Sequence, residues 1–131
     1  MYTLIVISHF DAAHHISGYP GVCGRVHGHR FTIELRLSGE TLDKINMLID
    51  FKEVKGMLKE LFDKCLDHYD LNEMLPEREN VTAEYLSKWI YEQVKGRLYQ
   101  KTKVINVDSV TVFESPECGV KYEPDKVVVI I

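Results

Sequence analysis

Cys23-Gly-Arg-Val-His27-Gly-His29 sets a thiol and two imidazoles within one short stretch, and His14 stands upstream of it. His27 and His29 are two positions apart, so on an extended strand both rings leave the same face. Gly28 between them leaves room for close approach of backbone or ligand. Three neutral imidazoles with one position left open are the ligand set of a catalytic zinc rather than a structural one. A thiol four positions before His27 is placed for activation by nearby positive charge. Each feature has an ordinary alternative. A lone strand histidine is more often a core or surface residue than a ligand, and the His-x-His spacing recurs by chance. The pattern alone therefore leaves zinc binding open. A free cysteine is most often a small buried hydrophobe, but Cys23 stands in a glycine-flanked loop next to Arg25, which is not core composition.

Other reactive side chains are weaker signals by themselves. Asp67-His68 has the composition of an oriented acid/base pair, the carboxylate stabilising imidazolium, although neighbours in a chain often cannot join side chain to side chain. Glu114 ends an otherwise apolar run, Val110-Thr-Val-Phe113. It is either solvated at the strand end, the commoner case, or aimed at a ligand with paired N–H donors. His9 lies five positions before His14 and faces the other way on a regular strand. His15 adjoins the site but points off His14's face, toward a substrate or a structural role. Cys65 sits in an apolar helix end and reads as core; Cys118, after Pro116, is ambiguous.

The elements that must position these groups are legible in the hydropathy pattern. Residues 30–38 alternate without a break, Phe31, Ile33, Leu35 and Leu37 on one face and Thr32, Glu34 and Arg36 on the other. That is a half-buried antiparallel strand. Residues 2–14 form another strand, and the Gly- and Pro-bearing loop from His15 to Arg25 is long enough to bring His14 beside His27 and His29. Asp50 and Glu53 fit a capping box for a helix over about 51–64, with Val54, Leu58, Leu61 and Phe62 at helical spacing. The stretch 67–80 is loop-like. Thr82 caps a second helix reaching about Leu98, its stripe being Leu86, Trp89, Ile90 and Val94. Strands are expected over 103–114 and over the Val/Ile run 126–131. The order strand, strand, helix, helix, strand, strand predicts an α+β fold: a four-stranded antiparallel sheet covered on one face by two helices. Two open, apolar sheet edges predict an oligomer that continues the sheet between subunits.

Bulk properties agree. The chain has 131 residues, 45% hydrophobic and 27% charged, the proportions of one ordinary globular domain spanning 1–131. No apolar run is long enough for a membrane span. The apolar start, Met1 to Ile7, lacks a basic region and a cleavage site, so it reads as a first strand and not as a signal peptide. A net charge of −4 with no basic tract argues against nucleic acid as partner. Three cysteines without framework spacing suit a reduced, cytoplasmic setting.

Taken together and in order, Phe10-Asp-Ala-Ala-His14, Cys23 to His29, Ile49-Asp50-Phe51, Leu66-Asp67-His68-Tyr-Asp-Leu71-Asn72, Asn80-Val-Thr82-Ala-Glu84 and Glu114-Ser-Pro116 resemble the 6-pyruvoyl-tetrahydropterin / 6-carboxytetrahydropterin synthase family over almost the full length. The chain differs at Val81, where a proline is frequent, and at His15, where an arginine often follows the ligand. The resemblance implies the tunnelling fold, in which subunits form trimeric barrels that stack into a homo-hexamer with active sites at subunit interfaces. It implies Zn2+ as cofactor, held by His14, His27 and His29. Cys23 would be the catalytic thiol, with Asp67 and His68 as acid/base partners, and Glu114 would anchor a pterin with help from Thr82 and Glu84.

Three residues separate Cys23 from His27. Members with that spacing resemble the 6-carboxytetrahydropterin synthases of 7-deazapurine (queuosine or archaeosine) biosynthesis. The implied reaction converts 7,8-dihydroneopterin triphosphate to 6-carboxytetrahydropterin, acetaldehyde and triphosphate. The alternatives are a 6-pyruvoyl-tetrahydropterin synthase, which keeps the side chain, and a non-catalytic zinc- or pterin-binding oligomer. His-x-His also opens metal-dependent amidohydrolases, but their barrel needs roughly 250 residues.

Overall fold

Alternation sets the first two elements, β1 (Tyr2–His14) and β2 (His27–Gly39), paired antiparallel along their whole length from Tyr2↔Gly39 to His14↔His27. In the computed structural model, which describes residues 1–76 and 80–124, Phe31, Ile33, Leu35 and Leu37 are fully buried on one face of β2. Val6, Phe10 and Ala12 bury the matching face of β1, while Ile5, Ile7 and His9 face outward. β2 thus begins three residues earlier than the alternation alone indicates, and so takes in both of its histidines.

Helix α1 (Phe51–Cys65) starts where the Asp50 carboxylate accepts the Lys52 N–H at 2.8 Å. Glu53, the expected other half of a capping box, instead meets Lys101 Nζ at 3.2 Å. α1 buries Val54, Met57, Leu58, Leu61 and Phe62 at helical spacing against the sheet. A four-residue helix follows, α2 (Leu71–Met74), where a loop was expected. Then α3 (Ala83–Lys101) is capped by Thr82, whose hydroxyl accepts the Tyr85 N–H at 3.1 Å, and it buries Leu86, Ile90, Val94 and Leu98. Each such fully buried side chain contributes roughly 1.5–3 kcal/mol.

β3 (Asn106–Ser115) pairs with β2, and β4 (Cys118–Tyr122) returns beside it through a turn at Pro116-Glu117. The sheet order is β1-β2-β3-β4, all antiparallel. Cys118 therefore opens a strand and is exposed, while Cys65 is half-buried against the core. The strand expected over 126–131 lies outside the described residues; the fourth strand of the sheet comes from 118–122, a quieter segment broken by Gly119. No helix among the described residues is long and apolar enough to cross a membrane.

Candidate active site

The β1–β2 register places His14 opposite His27 and Ala12 opposite His29, so all three imidazoles leave the ladder on its buried face. Their ring centroids lie 4.6, 5.1 and 4.8 Å apart, and one nitrogen of each falls within 4.8 Å of the others. Phe31 backs the cluster, its ring 5.4 Å from those of His14 and His29. The strand spacing of His27 and His29 and the returning loop thus assemble the expected triad.

Hydrogen bonds set the tautomers. His14 Nδ1 lies 2.7 Å from the Val81 carbonyl and His27 Nδ1 lies 2.7 Å from the Arg25 carbonyl. A carbonyl only accepts, so both Nδ1 atoms carry a proton, and in the neutral form of either ring it is Nε2 that presents the lone pair. The Nε2 atoms of His14 and His29 are buried without a hydrogen-bond partner among the described residues. Burial holds both imidazoles below the ordinary histidine pKa; for His14 this outweighs the Val81 hydrogen bond and the Glu114 charge. For His14 this leaves a neutral ring whose oriented Nε2 lone pair has no hydrogen bond, as a zinc ion requires of its ligands. Backbone carbonyls that fix ring orientation are the usual second layer of such sites.

Glu114 continues the Val110, Val112 alternation of β3 onto this same buried face. A register shift against β4 between Phe113 and Ser115 leaves it at the strand's irregular end. Its Oε1 lies 3.8 Å from His14 Nε2, and its side chain is one-third exposed. The expectation of a solvated strand end gives way to a carboxylate beside the imidazole cluster.

Asp67 and His68 do pair directly, His68 Nδ1 to Asp67 Oδ2 at 2.9 Å. The expected obstacle for chain neighbours is removed by backbone geometry. The N–H groups of Leu66 and Asp67 both fold back onto the Phe62 carbonyl at the end of α1, and His68 takes φ 64°. Asp67 Oδ1 also accepts the Asp11 N–H at 2.9 Å, and this hydrogen bond foremost holds its carboxyl below the usual carboxylate range. The imidazole of His68 is largely exposed and groups with Asp67 and Asp11. Asp11, whose carboxylate is held by Arg30 at 3.0 and 3.2 Å, projects from the face of β1 opposite to His14. His68, Tyr69 and Arg30 line a shallow hollow of about 540 Å³, which Gly28 and His29 also border. A larger cavity of about 670 Å³, between α3 and the start of β3, carries none of the candidate residues.

Cys23 sits half-buried in a single 3-10 turn, Val22–Gly24, and belongs to neither titratable cluster among the described residues. Its carbonyl accepts the Ile16 N–H at 3.0 Å, which ties the loop back to the end of β1. Thr82 is occupied as a helix cap, and Glu84 is exposed in the first turn of α3. One chain therefore unites His14, His27, His29 and Glu114, unites Asp67 with His68, and leaves these two groups on opposite sides of β1. His15 follows His14 in the chain, and its buried Nδ1 has no hydrogen-bond partner among the described residues. The Val81 carbonyl and Asn72, which holds the His15 main chain, are the supporting groups that no spacing rule reveals, because they lie 67 and 57 positions from what they hold.

Comparison with known proteins is consistent across sequence and structure. The family model described as 6-pyruvoyl tetrahydropterin synthase matches residues 3–125. The 6-carboxy-5,6,7,8-tetrahydropterin synthase of Rickettsia felis is 30% identical over 128 residues, spanning 86% of this chain and 93% of that protein. The protein of the same name from Bacillus subtilis is 32% identical over 125 residues, 90% of this chain and 82% of its own. Among solved structures, Caenorhabditis elegans 6-pyruvoyl tetrahydropterin synthase superposes with a TM-score of 0.77 at 22% identity, covering 95% of this chain and 96% of that one. The Plasmodium vivax 6-pyruvoyltetrahydropterin synthase gives 0.72 at 22% identity, with coverage of 92% and 96%. The architecture is the tunnelling fold of these neighbours.

Proposed function

The chain belongs to the 6-pyruvoyl tetrahydropterin synthase family, and on that premise we propose that it is a zinc-dependent 6-carboxy-5,6,7,8-tetrahydropterin synthase. The observation that carries the zinc reading is the pair of buried Nε2 atoms on His14 and His29 with no hydrogen-bond partner among the described residues. The product reading is supported by the three-residue gap between Cys23 and His27 and by the names of the Rickettsia felis and Bacillus subtilis relatives.

His14, His27 and His29 would hold the zinc, which when bound would supply Lewis-acid polarisation of side-chain oxygens on 7,8-dihydroneopterin triphosphate. Glu114, on the same face, accepts the paired N–H donors of the pterin's guanidine-like edge and so orients the side chain toward the histidines. Thr82 and Glu84 belong to this anchoring end, Thr82 by fixing the start of α3. Cys23 as thiolate removes a proton from the side-chain carbon next to the ring. His68, kept in orientation by Asp67, passes a second proton as the side chain is cleaved. One water is consumed as the side chain is cleaved between its first and second carbons and the triphosphate leaves, and the products are 6-carboxytetrahydropterin, acetaldehyde and triphosphate.

Because Asp67-His68 groups with Asp11, on the face of β1 opposite to His14, we assign the completion of each site to a second copy in a homo-hexamer, a dimer of trimers. Residues 1–131 act as one domain of that assembly, in the cytoplasm, supplying 7-deazapurine biosynthesis. The test is product identification by mass after incubating zinc-loaded protein with dihydroneopterin triphosphate. A carboxyl at C6 with released acetaldehyde is the expected outcome. A retained three-carbon side chain would instead mark a pyruvoyl-forming enzyme, and zinc binding without turnover would mark a binder.

A further inference from the structure

β1 is an edge strand among the described residues, so the rim that carries Asp11, Ala13 and His15 has no neighbouring strand there. Edge N–H and C=O groups of this kind need partners. The segment from Asp67 to Asn72 supplies them in succession. Asp67 Oδ1 accepts the Asp11 N–H at 2.9 Å, the His68 N–H donates to the Asp11 carbonyl at 2.6 Å, and the Ala13 N–H donates to the Tyr69 carbonyl at 3.0 Å. Asn72 ends the series. Its Oδ1 accepts the His15 N–H at 2.9 Å and its Nδ2 donates to the His15 carbonyl at 3.1 Å.

Asn72 is 4% exposed, and both ends of its amide are committed to the main chain of one residue. It serves there as a paired strand one residue long. Helix α2 exists at a length where hydrogen bonds along the chain do little, and Asp70, its cap, accepts the Asn72 N–H at 3.1 Å. The side chain is thus aimed at the peptide directly following His14.

We propose that Asn72 is a positioning residue for the metal: it locks the end of β1 so that His14 Nε2 stays directed at the point shared with His27 and His29. The Val81 carbonyl fixes the ring of His14, while Asn72 fixes the backbone from which that ring departs. The inference rests on the zinc reading above. Only a carboxamide fits the role. An aspartate keeps the acceptor but sets a charge against the His15 carbonyl, and an alanine leaves two buried backbone groups unpaired.

The test measures zinc affinity by competition with a chromophoric chelator, and the visible absorption band of the cobalt-substituted protein, in four proteins: wild type, Asn72→Ala, Asn72→Asp and Val94→Ala. Asn72→Ala is expected to weaken zinc about 10–100-fold, the usual cost of losing a group that orients a ligand, and to shift the cobalt band. Asn72→Asp, which keeps one of the two hydrogen bonds, recovers part of the loss and stands in if the alanine variant does not fold. Val94→Ala, a core truncation in α3, lowers the melting temperature and leaves zinc affinity at the wild-type value. Wild-type affinity in both Asn72 variants, or an equal loss in Val94→Ala, overturns the inference. A wild type without zinc affinity refutes the zinc reading instead; the inference is then decided on the apo protein by the 15N shifts of His14, which Asn72→Ala must move if Asn72 positions that ring.

Discussion

Asp67 and His68, adjacent in the chain, join side chain to side chain at 2.9 Å because His68 adopts a left-handed backbone with φ 64°. That conformation costs a residue with a Cβ about 1–2 kcal/mol, and three hydrogen bonds around it hold it in place: Asp67 N–H to Phe62, His68 N–H to Asp11, and Asp67 Oδ1 from Asp11. The carboxylate thus fixes both the imidazole and the strand beside it. Asp67→Asn is expected to lower kcat roughly 10²–10⁴-fold, the range for a lost acid/base function, with zinc content unchanged. Steady-state kinetics beside metal analysis checks this, and a variant with wild-type kcat would remove Asp67-His68 from the chemistry.

Gly24 bears on Cys23. A Cβ at position 24 would stand 2.6 Å from the Tyr19 carbonyl oxygen, a backbone atom that cannot step aside alone. Gly24→Ala must therefore shift the turn that carries Cys23. Displacements of about 1 Å at a reacting group cost on the order of 10²-fold, so kcat/KM should fall by that order while zinc stays bound. Thiol labelling rates at Cys23 would report the same displacement independently.

Glu114 gives a different signature. Glu114→Gln keeps the size of the side chain and removes the charge 3.8 Å from His14 Nε2. Lost recognition of the substrate raises KM more than it lowers kcat, and charge-assisted hydrogen bonds of this kind contribute roughly 1.5–3 kcal/mol. A rise in KM of about 10–100-fold is expected. An equal fall in kcat with KM unchanged would place Glu114 in the transition state alone.

The depressed imidazole pKa values predict an acid-sensitive fold for the metal-free protein. His14 and His29 sit below the ordinary histidine value because burial disfavours the charged ring. The unfolded chain therefore takes up protons first, and stability that is complete above about pH 6.5 is lost as the pH falls toward the folded-state values. Melting temperatures of apo protein between pH 8 and pH 5 should fall over that window. The fall should be smaller for His14→Gln, which has no proton to gain at that position.

Most of the site was legible because it depends on short spacings. Strand periodicity put His27 and His29 on one face, and unbroken alternation through Phe31 and Leu37 fixed which face was buried. The Asp50 and Thr82 caps marked both long helices. What escaped depends on contacts distant in sequence or on single dihedral angles. α2 has four residues, too few for a helical period to register. The Asp67–His68 pair follows from one positive φ. β4 carries little hydrophobic signal beside the louder Val/Ile run after it. That Glu114 stands beside His14 is a contact between strands, which no spacing along β3 reveals.

Timing during folding follows from where the supports of the imidazole cluster lie. All three histidines are synthesised within the first 29 residues, yet the Val81 carbonyl that orients His14 comes 67 positions after it. Loop closure over such separations carries an entropic cost that must be met before the contact forms. A nascent chain long enough to contain the whole β1–β2 hairpin thus has all three histidines, with Arg25 and Phe31 beside them, but lacks the Val81 carbonyl that orients His14. Metal competence should appear only once the start of α3 has docked, as a late and cooperative event, so that stopped-flow metal uptake during refolding lags the formation of the hairpin.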